Sequence, residues 1–550
     1  MADLTKKTLR DSAGMRWTAL LLLALAMFCS YIFMDILSPI KDLMQDTRGW
    51  DSETFGRMQG AEVFLNVYVF FLIFAGIILD KMGVRFTAVL SGAVMLFGGV
   101  IKFYACSDAF VGTQLEAWFT NHLNWNGNLP IIGTILPFAD GMPASAKLAA
   151  LGFMFFGCGC EMAGITVSRG IVKWFKGRET ALAMGSEMAL ARLGVATCMM
   201  FSPFFAKLGG EVHVANAVKF GVVLLCIALI MFIVYFFMDK KLDAQTGEAE
   251  EKDDPFKISD LGKIFTSLGF WLVALLCVLY YSAIFPFQKY AVNMLQCNLT
   301  LNPAEASSYW GGSTESFPIS VTIVQYIIML VVAICSFASN FSKNKGLKFG
   351  LMGFAALALV LYCYMGYMRG TAETIFAVFP LLAVAITPIL GNYVDHKGKA
   401  ASMLMLGSIL LVVCHLTFAF ILPSFKGNAI GGTIVAYVTI LVLGASFSLV
   451  PAALWPSVPK LVDEKIIGSA YAAIFWIQNI GLGLFPALIG MVLNKTNAEG
   501  TAAHDLDYTW ALVMLAALGI AALLISVYLR AVDKKKGYGL EKPNIVSDEQ

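Results

Sequence analysis

The fold of this chain is decided by a short stretch, GIILDKMGVR at residues 76–85, that lies between two apolar segments of membrane-spanning length. A related stretch, GNYVDHKGK at residues 391–399, lies in the same kind of context much later in the chain. The copies share a glycine, an aspartate, a second glycine and a base: Gly76, Asp80, Gly83 and Arg85 in the first, and Gly391, Asp395, Gly398 and Lys399 in the second. One copy would suit any tight turn. Two copies in matching contexts indicate an internally duplicated membrane bundle, which is the architecture of many secondary transporters.

The composition places the whole chain in a membrane. Hydrophobic residues make up 58% of the 550 residues and charged residues only 14%, against about 25% charged in ordinary soluble domains. The apolar segments recur from residue 16 to residue 530, so a soluble core could not contain them. We therefore expect a polytopic protein whose solvent is the lipid bilayer. A formal net charge of +2 makes nucleic acid an unexpected partner.

The sequence gives no sign of enzyme chemistry. It has no cluster of residues with metal-ligand spacing, no nucleophile paired with a base, and no phosphate-binding loop. We accordingly expect no catalytic residues, no bound metal and no cofactor.

The apolar segments predict an all-α protein with about fourteen spans, because a spanning helix needs about 20 apolar residues. The predicted spans are 16–40, 56–79, 86–105, 147–172, 180–208, 216–238, 268–292, 317–341, 348–368, 373–394, 400–422, 431–455, 467–493 and 508–530. Basic residues fall in alternate connections and in the tail, at Lys534–Lys536. Because basic residues favour the cytoplasmic side, we expect both termini to be cytoplasmic.

The duplicated motif divides the chain into two halves. We predict twelve core helices in two pseudo-symmetric six-helix halves, residues 1–238 and 268–530, joined by a cytoplasmic linker at 239–267 and followed by a cytoplasmic tail at 531–550. The second motif copy must follow the eighth core helix. Residues 317–368 are therefore an inserted two-helix hairpin, with a basic turn at Lys343–Lys348. The alternative for 317–368 is a long amphipathic outer loop.

Two charged residues are predicted near the middle of the bilayer. Glu161 on the fourth helix and Arg192 on the fifth lie about 16–18 Å from the inner face of a hydrocarbon core of about 30 Å, at 1.5 Å of rise per residue. Charges at that depth are costly unless paired or wet, which makes them candidates for function. They are either a structural ion pair or two sides of a cleft for a substrate bearing an ammonium and a carboxylate. Arginine suits a carboxylate because its planar fork binds both oxygens.

Other polar residues are candidates for gates or for the cavity wall. Arg169, near the inner end of the fourth helix, is predicted to lock against an aspartate such as Asp80. Asp35 and Glu62 lie toward the outer halves of helices one and two as gate or cavity candidates. The substrate contacts that we predict in addition to Glu161 and Arg192 are Tyr31, Asn66 and Tyr68 in the first half and Tyr281, Trp455, Gln478 and Asn479 in the second half, where proline interrupts several helices.

Several of these stretches resemble a known family. The two motif copies are similar to the cytoplasmic loops of the major facilitator superfamily between helices two and three and between eight and nine. GCE at 159–161, WFKGRE at 174–179 and MALARLG at 188–194 resemble helices four and five of its lysosomal dipeptide-transporter branch, the "domain-containing protein one" group. Residues 280–287, 453–456 and 470–482 resemble helices seven, ten and eleven of that branch.

The resemblance implies facilitated transport of dipeptides. It implies that Glu161 reads the amino terminus of the substrate and that Arg192 reads its carboxylate. The inserted hairpin and the sequences of helices one and two depart from the pattern of that branch.

We therefore expect an alternating-access carrier for small zwitterions, above all dipeptides. One rival is an organic-anion or carboxylate carrier of the same fold, possibly coupled to protons through Glu161. A second rival is a membrane scaffold or receptor that does not transport. For the hairpin we consider a lipid-facing brace or a surface for a membrane partner. Short connections favour a bacterial inner membrane over a lysosomal membrane.

Overall fold

The structure, a computed structural model, describes residues 8–125, 136–176, 178–246, 258–301, 319–342, 344–462 and 467–544. These residues are helical, with short connections. The helices are α1 Ala13–Met34, α2 Lys41–Arg48, α3 Ser52–Gly60, α4 Phe64–Tyr68, α5 Phe71–Cys106, α6 Gln114–Asn121, α7 Ala144–Trp174, α8 Thr180–Ala206, α9 Val214–Thr246, α10 Ile258–Phe265, α11 Leu268–Asn298, α12 Ile319–Phe341, α13 Lys345–Arg369, α14 Ala372–Phe376, α15 Val378–Lys397, α16 Ala400–Leu416, α17 Ala429–Leu461, α18 Ile467–Thr496 and α19 Thr509–Lys536.

The predicted membrane bundle is confirmed. Thirteen helical segments of the described chain are long and apolar enough to cross a bilayer. The fourteenth predicted span, 56–79, is the exception because it is not one helix. It runs as α3, a 3-10 turn at Ala61–Val63, α4 and the first part of α5. The break lies where Phe70 takes a left-handed backbone conformation, with φ of 56°.

The first motif copy lies where two helices meet at a sharp kink. The element α5 joins the end of the second core helix to the third, and its backbone leaves helical geometry at Gly83, with φ of 79°. The corresponding glycine of the second copy, Gly398, has φ of 72° and ends α15. A positive φ costs a side-chain-bearing residue about 1 kcal/mol or more, so glycine is required at both turns. The first glycine of each copy, Gly76 or Gly391, has open space around it and no positive φ, so neither packing nor backbone conformation requires glycine there.

Close helix packing holds each half together. In the first half, α5 packs along α7, and a Cβ on Gly98 would lie 2.4 Å from the carbonyl oxygen of Gly152. In the second half, α16 packs against α17 and α19, and α15 packs against α17. Small residues let backbones approach in this way, which favours association in lipid, where helices gain little from the hydrophobic effect.

The inserted segment forms two antiparallel helices, α12 and α13, both of spanning length and apolarity. The alternative of an amphipathic outer loop is therefore wrong. Lys343, in the predicted basic turn, lies outside the described residues. The predicted linker contains the end of α9 and the short helix α10, and its residues 247–257 also lie outside the described chain. The domain boundaries themselves stay a prediction.

Candidate functional site: a charged cavity between the two halves

One large cavity of about 2020 Å³ lies between the two halves. Its wall includes Arg10 near the start of the described chain and Asp395 of the second motif copy. Asn544, near the end of the described chain, bonds to Asp395. Both described chain ends therefore lie at the mouth of the cavity, and we call this face the N/C side. Glu161 and Arg192 lie on the wall deeper in the cavity.

The two halves meet closely on the opposite side. A Cβ on Gly60 of α3 would lie 2.2 Å from the carbonyl oxygen of Gly483 on α18. Tyr290 of α11 strengthens the contact, because its hydroxyl lies 2.9 Å from the carbonyl oxygen of Ser52 and 2.8 Å from that of Pro486. The cavity is therefore open to the N/C side and closed on the opposite side.

A buried charge cluster joins the halves just below this closure. Lys289 Nζ of α11 lies 2.7 Å from Asp35 Oδ1, at the end of α1, and 4.0 Å from Glu62 Oε2. Gln288 Nε2 donates to the other oxygen of Asp35 at 2.7 Å. The side chains of Lys289 and Asp35 are only 9% and 1% exposed. The sequence offers Asp35 and Glu62 as separate candidates. It also shows Lys289 as a charge near the outer end of the seventh core helix, but it does not predict that this lysine, more than 200 residues away along the chain, is their shared cation.

Glu161 also reaches across the two halves. Its Oε1 accepts a hydrogen bond of 3.2 Å from Asn479 Nδ2, so α7 of the first half contacts α18 of the second. Both residues line the cavity. The sequence nominates both but does not predict that they bond to each other.

Arg192 is surrounded by aromatic rings rather than by carboxylates. Its guanidinium carbon lies 5.0 Å from the ring centre of Phe447, 5.1 Å from that of Phe285 and 5.9 Å from that of Tyr31. Among the described residues, Arg192 has no carboxylate within 4.0 Å, and it forms no ion pair with Glu161. The structural ion pair, one of the two alternatives from the sequence, is therefore not formed. The rings attract the cation through their negative faces and leave its N–H groups available.

The second half contributes a polar aromatic wall. Trp455 Nε1 donates to Tyr281 Oη at 3.1 Å, and Tyr471 Oη donates to the carbonyl oxygen of Trp455 at 3.0 Å. Gln478 lies beside them on the cavity wall and accepts a weak bond of 3.3 Å from Cys277 Sγ. The four predicted second-half contacts, Tyr281, Trp455, Gln478 and Asn479, are thus brought to one cavity.

Of the further substrate contacts predicted in the first half, only some lie on the cavity wall. Tyr31 and Asn66 line the cavity, but Tyr68 does not. Tyr68 ends the short helix α4, its ring packs against Phe64 at 4.6 Å between ring centres, and it is 41% exposed. The break in the second core helix separates Tyr68 from the other candidates, so we no longer place it at the site. Asn66 is 2% exposed, and neither of its amide atoms has a hydrogen-bond partner among the described residues.

The first motif copy is fixed by ion pairs between helices. Arg169 Nη1 of α7 donates to Asp80 Oδ1 at 2.7 Å, which is the predicted contact. Arg85 lies 3.3 Å from Asp243 of α9, and Lys173 lies 2.7 Å from the same aspartate. The motif thereby ties α5 to α7 and α9 at the mouth of the cavity.

The second motif copy is fixed by the C-terminal tail instead. Asn544 Nδ2 donates to Asp395 Oδ1 at 2.9 Å, and Glu541 accepts from the backbone nitrogen of Ser402 at 2.8 Å. Lys460 of α17 donates to two carbonyl oxygens of the tail, at residues 539 and 542. A Cβ on Gly398 would lie 2.5 Å from the carbonyl oxygen of Glu541. Lys399, the base of this copy, also lies 3.9 Å from Glu541, so the tail takes the place that α7 and α9 have at the first copy, an exchange that the sequence does not reveal.

Comparison with known proteins agrees with this architecture. Residues 23–372, more than half of the chain, match the family model for the Major Facilitator Superfamily. The chain belongs to the major facilitator superfamily. It is therefore a transporter and not an enzyme.

The similar curated proteins include one transporter from several vertebrates. The lysosomal dipeptide transporter MFSD1 of Danio rerio is 25% identical over 372 residues, which cover 66% of this chain and 64% of that protein. MFSD1 of Homo sapiens is 24% identical and covers 66% of this chain and 63% of its own length. The match thus spans less than two thirds of these relatives.

Solved structures of transporters share the fold. The nucleoside transporter NupG aligns with a TM-score of 0.57 at 10% identity, over 93% of this chain and 99% of NupG. A structure from a study of proton dependent oligopeptide transporters aligns with a TM-score of 0.54 at 12% identity, over 94% of this chain and 99% of that one. At these identities the likeness concerns the fold alone. Members of the superfamily work by alternating access, and this structure is open on the N/C side.

Proposed function

We propose that this protein is a secondary transporter of small zwitterions, with dipeptides as its main substrates. One observation carries the proposal: Glu161 and Arg192 share one cavity without pairing with each other. A substrate that bears both an ammonium and a carboxylate would compensate both charges at once. Charges in a membrane protein are costly unless they are paired, which favours such a ligand.

Glu161 would bind the substrate ammonium. Among the described residues its carboxylate has one hydrogen-bond partner, Asn479, and an ionised carboxylate can accept several bonds. Asn479 fixes the direction of the carboxylate and leaves acceptor sites facing the cavity. Because Asn479 belongs to the second half, the affinity of Glu161 for a ligand would depend on the relative position of the halves.

Arg192 would bind the substrate carboxylate. The rings of Phe285, Phe447 and Tyr31 hold the guanidinium without using its hydrogen-bond donors. A planar guanidinium donates two parallel bonds to a carboxylate, which a point-like lysine charge would not do.

The peptide group and the side chains would meet the remaining wall. Asn66 offers a buried amide donor and acceptor with no partner among the described residues. A buried polar group without a partner costs about 1–3 kcal/mol, so a ligand that bonds to it gains affinity. Tyr281, Trp455 and Tyr471 offer an amphipathic surface that suits varied side chains. The printed name of the MFSD1 relatives, dipeptide transporter, supports the same substrate class.

Thermal stabilisation of the purified protein tests the proposal. A ligand that binds only the folded state raises stability by mass action, by about 2.7 kcal/mol at 100 times its Kd. We expect a free dipeptide to stabilise the protein and its N-acetylated or C-amidated forms to stabilise it far less. Losing a charged hydrogen bond costs about 1.5–3 kcal/mol, which is about 10–150-fold in Kd.

Two variants and a matched control assign the roles. Glu161→Gln should abolish the preference for the free amine, and Arg192→Gln the preference for the free carboxylate. Glu187→Gln removes another carboxylate from the same cavity wall, one whose charge interacts with Arg192, and should leave the preference for the free amine intact. If Glu161→Gln and Arg192→Gln both bind and transport dipeptides like the parent, the proposed site is wrong.

The organic-anion rival is favoured by one observation. Arg192 has no carboxylate partner among the described residues, whereas Glu161 already has a hydrogen-bond partner. Equal stabilisation by simple carboxylates and by dipeptides would support this rival.

We extend the proposal to the location of the protein. The bases at the N/C side and the short connections support a bacterial inner membrane, with both ends cytoplasmic. Protease protection of a C-terminal tag in sealed cells checks this orientation.

A further inference from the structure

The inserted hairpin is fixed to the second half by a buried polar network. Arg369 of α13 donates to Gln325 Oε1 at 2.7 Å and to Thr322 Oγ1 at 3.2 Å, which joins α13 to α12. Tyr362 Oη of α13 donates to the carbonyl oxygen of Thr374 in α14 at 3.1 Å. Polar bonds are costly to break where no water can replace them. The hairpin and the eighth core helix, α14 with α15, are therefore held as one unit.

The two faces of α12 are also distinct. Residues at helical spacing form a buried stripe along its whole length: Gln325, Met329, Val332, Ser336 and Ser339. Gln325 of this stripe contacts Arg369 and Tyr362 of α13, and α12 packs mainly against α13 and α15. The opposite face carries exposed aliphatic side chains such as Ile327 and Ile334, at 51% and 63% exposure, and suits lipid.

The contact of the hairpin with the first half is much slighter. Tyr326 Oη lies 3.1 Å from Thr197 Oγ1 on α8, and its ring meets Phe201 edge-on at 5.1 Å between centres. One hydroxyl bond and one ring contact can be exchanged for others at small cost. The hairpin is thus bound firmly to one half and lightly to the other.

Further toward the N/C side, the hairpin becomes part of the cavity wall. Phe337 lies 11 residues beyond Tyr326, about 16 Å along the helix axis. It lines the cavity together with Met188 of α8 and Thr387 of α15. Phe337 therefore lies where the wall passes from the first half to the second.

We propose that the inserted hairpin moves with the second half during transport, slides along α8, and closes the seam between α8 and α15 against the lipid. This role rests on alternating access, which is general in the superfamily, and does not depend on the substrate class. It goes beyond a static brace, because one face of the hairpin must move past the first half in every cycle.

A cross-link between the hairpin and the first half tests the sliding. The variant Thr197→Cys/Tyr326→Cys is treated with a membrane-permeant bis-methanethiosulfonate that spans the gap. The matched control is Gly366→Cys/Tyr437→Cys, which joins α13 to α17 within the second half at another tyrosine hydroxyl contact. We expect the first cross-link to reduce dipeptide transport at least tenfold, reversibly on reduction, and the control cross-link to leave transport unchanged.

A second readout does not depend on the substrate. Hydrogen exchange at the contact between α3 and α18 reports opening on the opposite side, and the first cross-link should slow it at least tenfold. Unchanged exchange after complete cross-linking would overturn the sliding role, and slowed exchange in the control would overturn the assignment of the hairpin to the second half. If exchange slows while no dipeptide binds any variant, the proposed substrate is wrong and the role of the hairpin stands.

Thiol labelling tests the seam. Phe337→Cys should react with a charged, water-soluble thiol reagent at least tenfold faster than Ile334→Cys, one helical turn away on the lipid face, each measured above the labelling of the parent chain. Equal rates for the two positions would overturn the cavity-wall role of the hairpin.

Discussion

Replacing Lys289 with alanine should open the protein on the side opposite the chain ends. Lys289 is the cation of the cluster that joins the halves, at 2.7 Å from Asp35 and 4.0 Å from Glu62. Among the described residues, no other cation lies within 4.0 Å of Asp35. Lys289→Ala therefore leaves two nearby carboxylates without that cation. The cost falls on the closed arrangement of the halves, because only that arrangement brings these groups together.

The size of the effect follows from burial. Two unit charges 2.7 Å apart attract by about 6 kcal/mol at an effective dielectric constant of about 20. Desolvation offsets part of this attraction, and removing one partner of a buried pair costs about 3–5 kcal/mol. Taking about 3 kcal/mol, the equilibrium between the closed and open arrangements of this side shifts about 100-fold toward opening.

Asp35→Asn should have a much smaller effect. Lys289 then keeps Glu62 and the carbonyl oxygen of Met34, which it already contacts at 3.3 Å. The new amide oxygen still accepts a hydrogen bond from Lys289, and the new amide nitrogen can donate to the oxygen of Gln288 once the Gln288 amide turns over. We expect a shift of about tenfold or less for this variant, about 1 kcal/mol.

Hydrogen exchange measured by mass spectrometry detects these shifts in the equilibrium between the closed and open arrangements. Amides of α3 and α18 that are protected by the contact between the halves exchange through its opening, so their rates should rise with the open population. If Lys289→Ala changes those exchange rates less than threefold, Lys289 does not hold the halves closed. The same conclusion follows if Asp35→Asn changes the rates as much as Lys289→Ala does.

Two further predictions concern the closure and the tail. Gly60→Ala places a Cβ 2.2 Å from the carbonyl oxygen of Gly483, so it should disfavour closure by about 1–3 kcal/mol and slow transport. The control Gly353→Ala adds its Cβ in open space and should leave transport rates unchanged. Deleting residues 538–550 removes the tail contacts to Asp395, Ser402 and Lys460, each hydrogen bond contributing about 1 kcal/mol. That deletion should lower both the thermal midpoint and the transport rate, whereas deleting only 545–550 should change neither; equal behaviour of the two truncations would contradict a structural role for the tail.

Much of the fold could be predicted because a bilayer fixes the length of a helix. Apolar segments of the required length located the spans, and the repeated motif located the inserted hairpin. The second core helix was the exception, since no proline marks its break at α4 and Phe70; at that break Trp476 of α18 donates to the carbonyl oxygen of Val67 at 3.0 Å, a contact from the other half. Tyr68, a predicted substrate contact, lies away from the cavity wall because a helix that breaks no longer keeps its residues on one face.

The sequence by itself determined the membrane bundle and its duplication, because the first follows from the hydrophobic length of single segments and the second from a repeated motif. The tertiary structure decided which groups share a partner. It joined Lys289 to Asp35, Asn479 to Glu161 and the tail to the second motif copy. These contacts link helices that are far apart in the chain, and their geometry depends on how the two halves meet. Local sequence does not specify that arrangement, whereas the packing of the whole bundle does.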